Sequence, residues 1–250
     1  MPITSRPHVS FVVPAFNEER LLPACLAAIR AEIARNGCDA EILVVDNAST
    51  DGTSRVAAAV PGVVVVDQPL KGLVQARSAG FAAARGELVA NIDADTLVPP
   101  GWLDRVLAEF ARSPRLVVLS GPYDYYDVPA HIRAAARVFY AVGFATYVFN
   151  KRVLGCGSMV QGGNFVLRRD ALAGIGGYSD RFTFYGEDTD VASRMSRIGD
   201  VRFTYALTAK SSGRRLRGDG LIMTGVRYSA NYLWATYFGK PFTTAWNDYR

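Results

Sequence analysis

Between residues 9 and 120 the chain alternates short apolar runs, polar junctions and amphipathic stretches. The runs are VSFVVP, EILVVD, VVVVD and ELVANID, and their near-continuous apolar character suits strands buried on both faces. Strands alternating with helical segments predict an α/β fold with a mostly parallel sheet. The first segment places Leu22, Leu26, Ile29 and Ile33 on one helical face, with Asn36 and Gly37 as a stop signal. The segment after Pro100 repeats this with Leu103, Leu107 and Phe110.

The alternation weakens after Gly121, where aromatic and small residues dominate: YDYYDV, RVFYAVGFATYVFN and GCGSMVQGGNFVLRRDAL. Neither a repeat nor a linker interrupts the chain, so residues 1–250 read as a single domain. Its halves are residues 1–120 and 121–250, and the second ends in an aromatic segment. From Leu221 to Phe238, Ile222, Val226, Ala230, Leu233 and Tyr237 fall at helical spacing, which predicts a helix packed on the domain. With the aromatic run before it, this segment also fits an interfacial surface, since Trp and Tyr favour the headgroup level of bilayers.

With 250 residues, 50% of them hydrophobic and 20% charged, the chain can bury a sizeable core. The net charge of +5 favours an anionic substrate or an acidic membrane surface but decides little alone. No nucleic-acid partner is expected. Cys25, Cys38 and Cys156 are odd in number and form no CxxC, which fits a reducing cytoplasm better than a disulfide framework or a thiolate zinc site. The first apolar stretch is broken by Pro14, against a signal peptide. The longest apolar run, Val138 to Phe149, falls short of the roughly 20 residues of a membrane span, so no transmembrane segment is expected.

Open parallel sheets bind ligands beyond the carboxyl ends of their strands. Those positions here are strongly polar: Asn17, Glu18 and Glu19 after the first run; Asp46 and NASTDGT after the second; Asp67, Gln68, Lys71 and Gly72 after the third; Asp93 and Asp95 after the fourth. Each has a plain alternative as a turn or helix cap, with Asn17, Ser49 and Asp51 the clearest cap candidates. Together they supply what a nucleoside diphosphate needs. Phe16 offers a flat face for a base, Asp46 an acceptor for its imide and Lys71 a cation for base or phosphate. Asp95 offers a hard oxygen donor for Mg²⁺ or Mn²⁺. Gly162 and Gly163 allow close backbone approach, and Asn164 offers a donor and an acceptor to a sugar hydroxyl, although a turn explains the segment almost as well.

In this order the motifs VVPAFNEE, VVDNASTDGT, LKGLVQARSAG, NIDADT, QGGNFVLRRDAL and FYGEDTDVASRM resemble glycosyltransferase family 2, from about residue 9 to about residue 200. The resemblance implies the GT-A fold and inverting transfer of a sugar from a nucleotide-sugar donor, with UDP favoured, to a carbohydrate or lipid-linked acceptor. It also implies a divalent metal. Asp188 of the ED pair is the implied catalytic base and Asp95 the metal ligand. Pro14, Phe16, Asn17, Glu18, Asp46, Lys71, Asp93, Ala94, Gly163, Asn164, Glu187 and Arg214 are the implied substrate contacts. Read from the residues alone, the acids of GEDTDVASRM also suit the first turn of a helix.

One departure stands out: many relatives carry a metal-binding histidine after the ED element, whereas His8 and His131 both lie elsewhere. The corresponding stretch, TAKSSGRRLRG, holds Lys210, Arg214, Arg215 and Arg217. It reads as a mobile loop closing over the diphosphate, as a solvated basic patch, or as a contact for anionic lipid. Rival functions are a metal-binding signalling module, a sugar-nucleotide pyrophosphorylase and a nucleotide-sugar-binding protein without transferase activity. A dehydrogenase is disfavoured because no GxGxxG follows the first run. Expected localisation is cytoplasmic, with peripheral contact at the inner face of the plasma membrane.

Overall fold

A computed structural model describes residues 7–154, 159–182 and 184–243. Cys156 lies outside the described residues, so the reading of the cysteines rests on the free Cys25 and Cys38. The first half alternates as its pattern dictates. In chain order come β1 (Val9–Ala15), α1 (Leu22–Asn36), β2 (Ala40–Asp46), α2 (Thr53–Ala58), β3 (Val63–Asp67), α3 (Leu73–Ala83), β4 (Leu88–Ile92), β5 (Thr96–Leu97) and α4 (Trp102–Arg112). There follow β6 (Leu116–Ser120), β7 (Tyr123–Tyr125), α5 (Ala130–Phe149), β8 (Asn164–Arg168), α6 (Arg169–Gly174) and α7 (Glu187–Met195). The chain continues through β9 (Asp200–Phe203), β10 (Ala209–Ser211), α8 (Arg214–Gly218) and α9 (Leu221–Phe238).

Seven strands form the main sheet in the order β3-β2-β1-β4-β8-β6-β9, parallel except for β8, which pairs antiparallel with β4 and β6. A small sheet, β5-β10-β7, sits beside it. Because successive strand residues point to opposite faces, β1 feeds two cores at once. Phe11 and Val13 pack with Leu22, Leu26, Ile29 and Phe110 of α1 and α4. Val12 packs on the other face with Val74 of α3 and Val191 and Met195 of α7. Gly80 lets α3 lie against the sheet, since a Cβ there would fall 2.3 Å from Val12 Cγ1. The expected stop of α1 is present: Gly37 takes φ 76° and donates its N–H to Ile33 O at 2.8 Å.

Two expectations are corrected, and a third loses its premise. The basic stretch is not a loop: β10 and α8 order it, with Arg217 Nη1 2.9 Å from Asp127 Oδ2. The stripe of α9 faces outward, with Ile222 82% exposed and Val226 and Tyr237 exposed too, while Thr224, Asn231 and Ala235 face the domain. Helical period alone gives a stripe and not the side on which the domain lies. Finally, α5 runs on through a π-helical turn at Asn150–Leu154, so residues Ala130–Val153 make a helix long and apolar enough, by length and composition, to cross a membrane. The apolar run had been measured without the alanine-rich turns before it. Only 17% of the qualifying window is buried.

Candidate active site

Strand order reverses between β1 and β4, so a crevice opens beyond their carboxyl ends. Two cavities of about 440 Å³ each lie there, within the range of small-molecule sites. Pro14, Phe16, Glu18, Lys71, Asp93, Ala94, Asp95 and Arg214 line the first. Gly163, Glu187 and Asp188 line the second. The cavities share a wall that includes Asp93, Phe139, Tyr140, Gln161, Phe184 and Arg215.

Asn17, Asp46 and Asn164 line neither cavity. Asn17 takes φ 52° and clasps the loop after β2, donating its N–H to Ser49 Oγ (3.0 Å) and accepting from Thr50 N (2.8 Å) through Oδ1. It does not cap α1, whose N-cap residue is Leu21. Asp46 accepts from Ser49 N at 3.2 Å, and its neighbour Asn47 lines the first cavity instead. Asn47 Nδ2 donates to Leu70 O (2.7 Å) and its Oδ1 accepts from Gly72 N (2.7 Å), so it orders the loop that carries Lys71. The Lys71 ammonium rests 3.7 Å from the centre of the Phe16 ring, on the face offered to a base.

Asn164 is fully buried, and its carboxamide is spent internally. It accepts from Trp102 Nε1 (3.0 Å) and donates to Leu207 O (2.7 Å) and Gly121 O (3.0 Å). Its position at the start of β8 joins α4 to the second half of the chain; a sugar hydroxyl has no access to it.

The carboxylates of the DxD pair diverge. Asp93 Oδ2 accepts from Tyr123 Oη at 3.2 Å, and Oδ1 lies 3.5 Å from Arg77 Nη2. Asp95 is nearly buried, with Oδ2 3.0 Å from Arg214 Nη2 and Oδ1 3.4 Å from Ser211 Oγ. Arg214 also forks onto Glu18, with Nη1 3.0 Å from Oε2 and Nη2 bonded to Oε1. A Cβ at Gly163 would fall 2.1 Å from Asp93 Cγ and from Tyr123 Oη, so glycine is required for the β4 end to pack against the turn before β8. These hard oxygen donors suit Mg²⁺ or Mn²⁺. Among the described residues no group of three or more His, Cys, Asp or Glu side chains is placed to hold a metal ion.

Across the shared wall, α7 starts after Gly186, which takes φ 81°. Asp188 Oδ1 accepts from Thr189 N (2.7 Å), while a Cβ at Gly162 would lie 3.1 Å from Asp188 Oδ2. Burial raises the Asp188 carboxyl above the ordinary range, against the pull of the Arg77 cation. Asp190 is held apart in a 2.8 Å pair with Arg194. Glu187 is buried against Arg77, and its own burial pushes it up to about 8 despite that contact. Arg77, 1% exposed, bonds Glu187 and, at 2.5 Å, Gly162 O. It ties the ED turn to the Gly162 turn and approaches Asp93. Sequence reasoning missed it. The signal was Arg77 in register with Val74 and Gly80, three residues apart on the core-facing side of α3.

The sequence profile described as glycosyl transferase family 2 matches residues 10–176. The chain belongs to glycosyltransferase family 2. An uncharacterized glycosyltransferase of Mycobacterium tuberculosis is 44% identical over 109 residues, covering 44% of this chain and 46% of that protein. An undecaprenyl-phosphate 4-deoxy-4-formamido-L-arabinose transferase of Aeromonas hydrophila is 38% identical over 105 residues, covering 40% of this chain and 32% of that protein. The matched stretches thus span less than half the length of these relatives. Among solved structures, a mannosyltransferase of Pyrobaculum calidifontis in complex with GDP-Man and Mn²⁺ superposes with a TM-score of 0.65 at 24% identity, covering 88% of this chain and 63% of that one. Glucosyl-3-phosphoglycerate synthase of Mycobacterium tuberculosis, with Mn²⁺ and UDP-glucose, gives 0.64 at 19% identity, covering 95% of this chain and 81% of that one. The family 2 chain therefore has the GT-A fold.

Proposed function

We propose that the chain is a metal-dependent inverting glycosyltransferase that moves a sugar from a nucleotide-sugar donor, UDP-linked in this reading, to an acceptor hydroxyl. The observation that carries it is the placement of Asp188 across a shared wall from Asp93 and Asp95, so that a base and the donor-side carboxylates face adjoining cavities. Phe16 receives the base once Lys71 leaves its ring. Lys71 and Arg214 meet the diphosphate, and Asp93, held by Tyr123, orients the donor sugar or ribose. A divalent ion held at Asp95 would supply positive charge to the departing diphosphate. Asp188 takes the acceptor proton as the hydroxyl oxygen bonds to the anomeric carbon, and the carbon–oxygen bond to the diphosphate breaks, its electron pair leaving with the nucleoside diphosphate.

The acceptor in this reading is lipid-linked, used at the cytoplasmic face of a membrane for cell-surface polysaccharide or glycolipid synthesis. Support comes from the second cavity, whose lining includes Phe139 and Val142 of α5 and Leu233 of α9. Val138 and Val142 of α5 and Ile222 and Val226 of α9 are more than half exposed. Exposed apolar side chains on two helices that touch fit contact with a lipid. The mechanism is tested by slow donor hydrolysis of α-linked nucleotide sugars followed by NMR: the first-formed sugar is the β-anomer, and α-anomer as first product contradicts inversion.

A further inference from the structure

Asp95, the carboxylate assigned to the ion, shares one arginine with Glu18. Arg214 reaches from the start of α8 across 196 positions of sequence to Glu18, and touches Asp95 at 3.0 Å with the same Nη2. Glu18 and Asp95 are both buried, 3% and 8% exposed, and the one guanidinium sits against both. Buried carboxylates without a counter-charge are costly, and a second cation placed beside Arg214 would meet like-charge repulsion at short range.

We infer that Arg214 acts as a resident counter-cation that occupies the metal carboxylate until a metal-bound diphosphate displaces it, and then turns to bind that diphosphate. Arg214 thus opposes binding of the ion alone and favours binding of the ion with nucleotide. The inference rests on the proposed nucleoside-diphosphate reading and goes beyond it, because it predicts opposite signs for two affinities upon removal of one side chain.

The test uses Mn²⁺ alone, followed by the electron-spin resonance of the free ion, on the whole chain and on the Arg214→Met and Arg214→Lys variants. UDP is then titrated in the presence of Mn²⁺. Arg214→Met should bind Mn²⁺ alone about tenfold more tightly than the parent and UDP with Mn²⁺ about tenfold more weakly, a coupling of ordinary size. Arg214→Lys, which keeps a cation, should stay near the parent in both. A purely structural role would weaken both affinities, and a pure diphosphate contact would leave binding of Mn²⁺ alone unchanged; either overturns the inference. Absence of Mn²⁺ binding under every condition also overturns it, and UDP binding in that same series would keep the donor reading intact. A melting curve of each variant distinguishes a lost site from a lost fold.

Discussion

Replacing Arg77 by methionine keeps most of the side-chain volume but strips Glu187 of its partner inside the protein. The guanidinium is 1% exposed and the carboxylate 4% exposed, so neither can turn to water. Breaking such a buried pair from one side costs about 3–5 kcal/mol, because the carboxyl that burial already holds up is left with neither counter-charge nor hydrogen-bond partner, whether it stays ionised or takes up a proton. In a domain of this size each kcal/mol shifts the melting temperature by about 2–4 °C, so Arg77→Met should melt roughly 6–20 °C lower. The loss also frees Gly162 O and loosens the turn beneath Asp188, so kcat should fall about 100-fold, the usual result of misplacing a reacting group by an ångström. Adding Glu187→Met replaces both partners by apolar side chains of similar size, and the double variant should recover most of the stability but little of kcat. Calorimetry and initial rates decide it. A single variant that melts within about 2 °C of the parent, or a double variant at least as unstable as the single, would show that the pair does not hold the site.

Asp188→Asn should abolish transfer while leaving nucleotide affinity intact. Because burial raises this carboxyl and the base must be ionised, kcat/KM is full above its raised pKa and falls as pH drops through it; the acid limb should lie above the ordinary aspartate value of about 3.9. Asn164→Ala orphans the Trp102 N–H at a cost of about 1–3 kcal/mol, lowering the melting temperature while the dissociation constant for nucleotide holds, measured by melting and titration together. Val226→Glu combined with Ile222→Glu on α9 should reduce co-sedimentation with anionic lipid vesicles without changing the melting temperature, since both side chains are exposed.

The parallel half of the fold was legible because β1, β2 and β4 are buried on both faces, the edge strand β3 keeps an apolar run although half-exposed, and each polar junction after a run marks a strand end. Asp93, Asp95, Glu18 and Lys71 were found by that rule, and all four line one cavity. The same rule placed Asn17 and Asp46 on the crevice rim but could not tell a side chain that faces the ligand from one that braces its loop, and both are bonded to the turn after β2. Asn164 shows the limit differently. It lies beside a glycine pair that suggested ligand approach, yet β8 inserts between β4 and β6, a pairing set by contacts 45–80 residues away that local pattern does not encode. Arg77 was hidden because a charged residue on a helix is ordinarily solvated; only its register with Val74 and Gly80 marked it as buried. The outward stripe of α9 was visible as a stripe, and which face met the domain depended on Thr224, Asn231 and Ala235 packing inward.

The central claim, that the crevice between β1 and β4 binds a nucleotide-sugar donor through Asp95 and a divalent ion, is tested most directly by calorimetric titration. UDP, GDP and dTDP are each titrated with and without Mn²⁺ into the parent chain and Asp95→Ala. The account predicts binding of UDP that requires Mn²⁺ and is lost in Asp95→Ala. Failure of every nucleotide to bind with or without the ion, or Mn²⁺-dependent binding undiminished in Asp95→Ala, would contradict it.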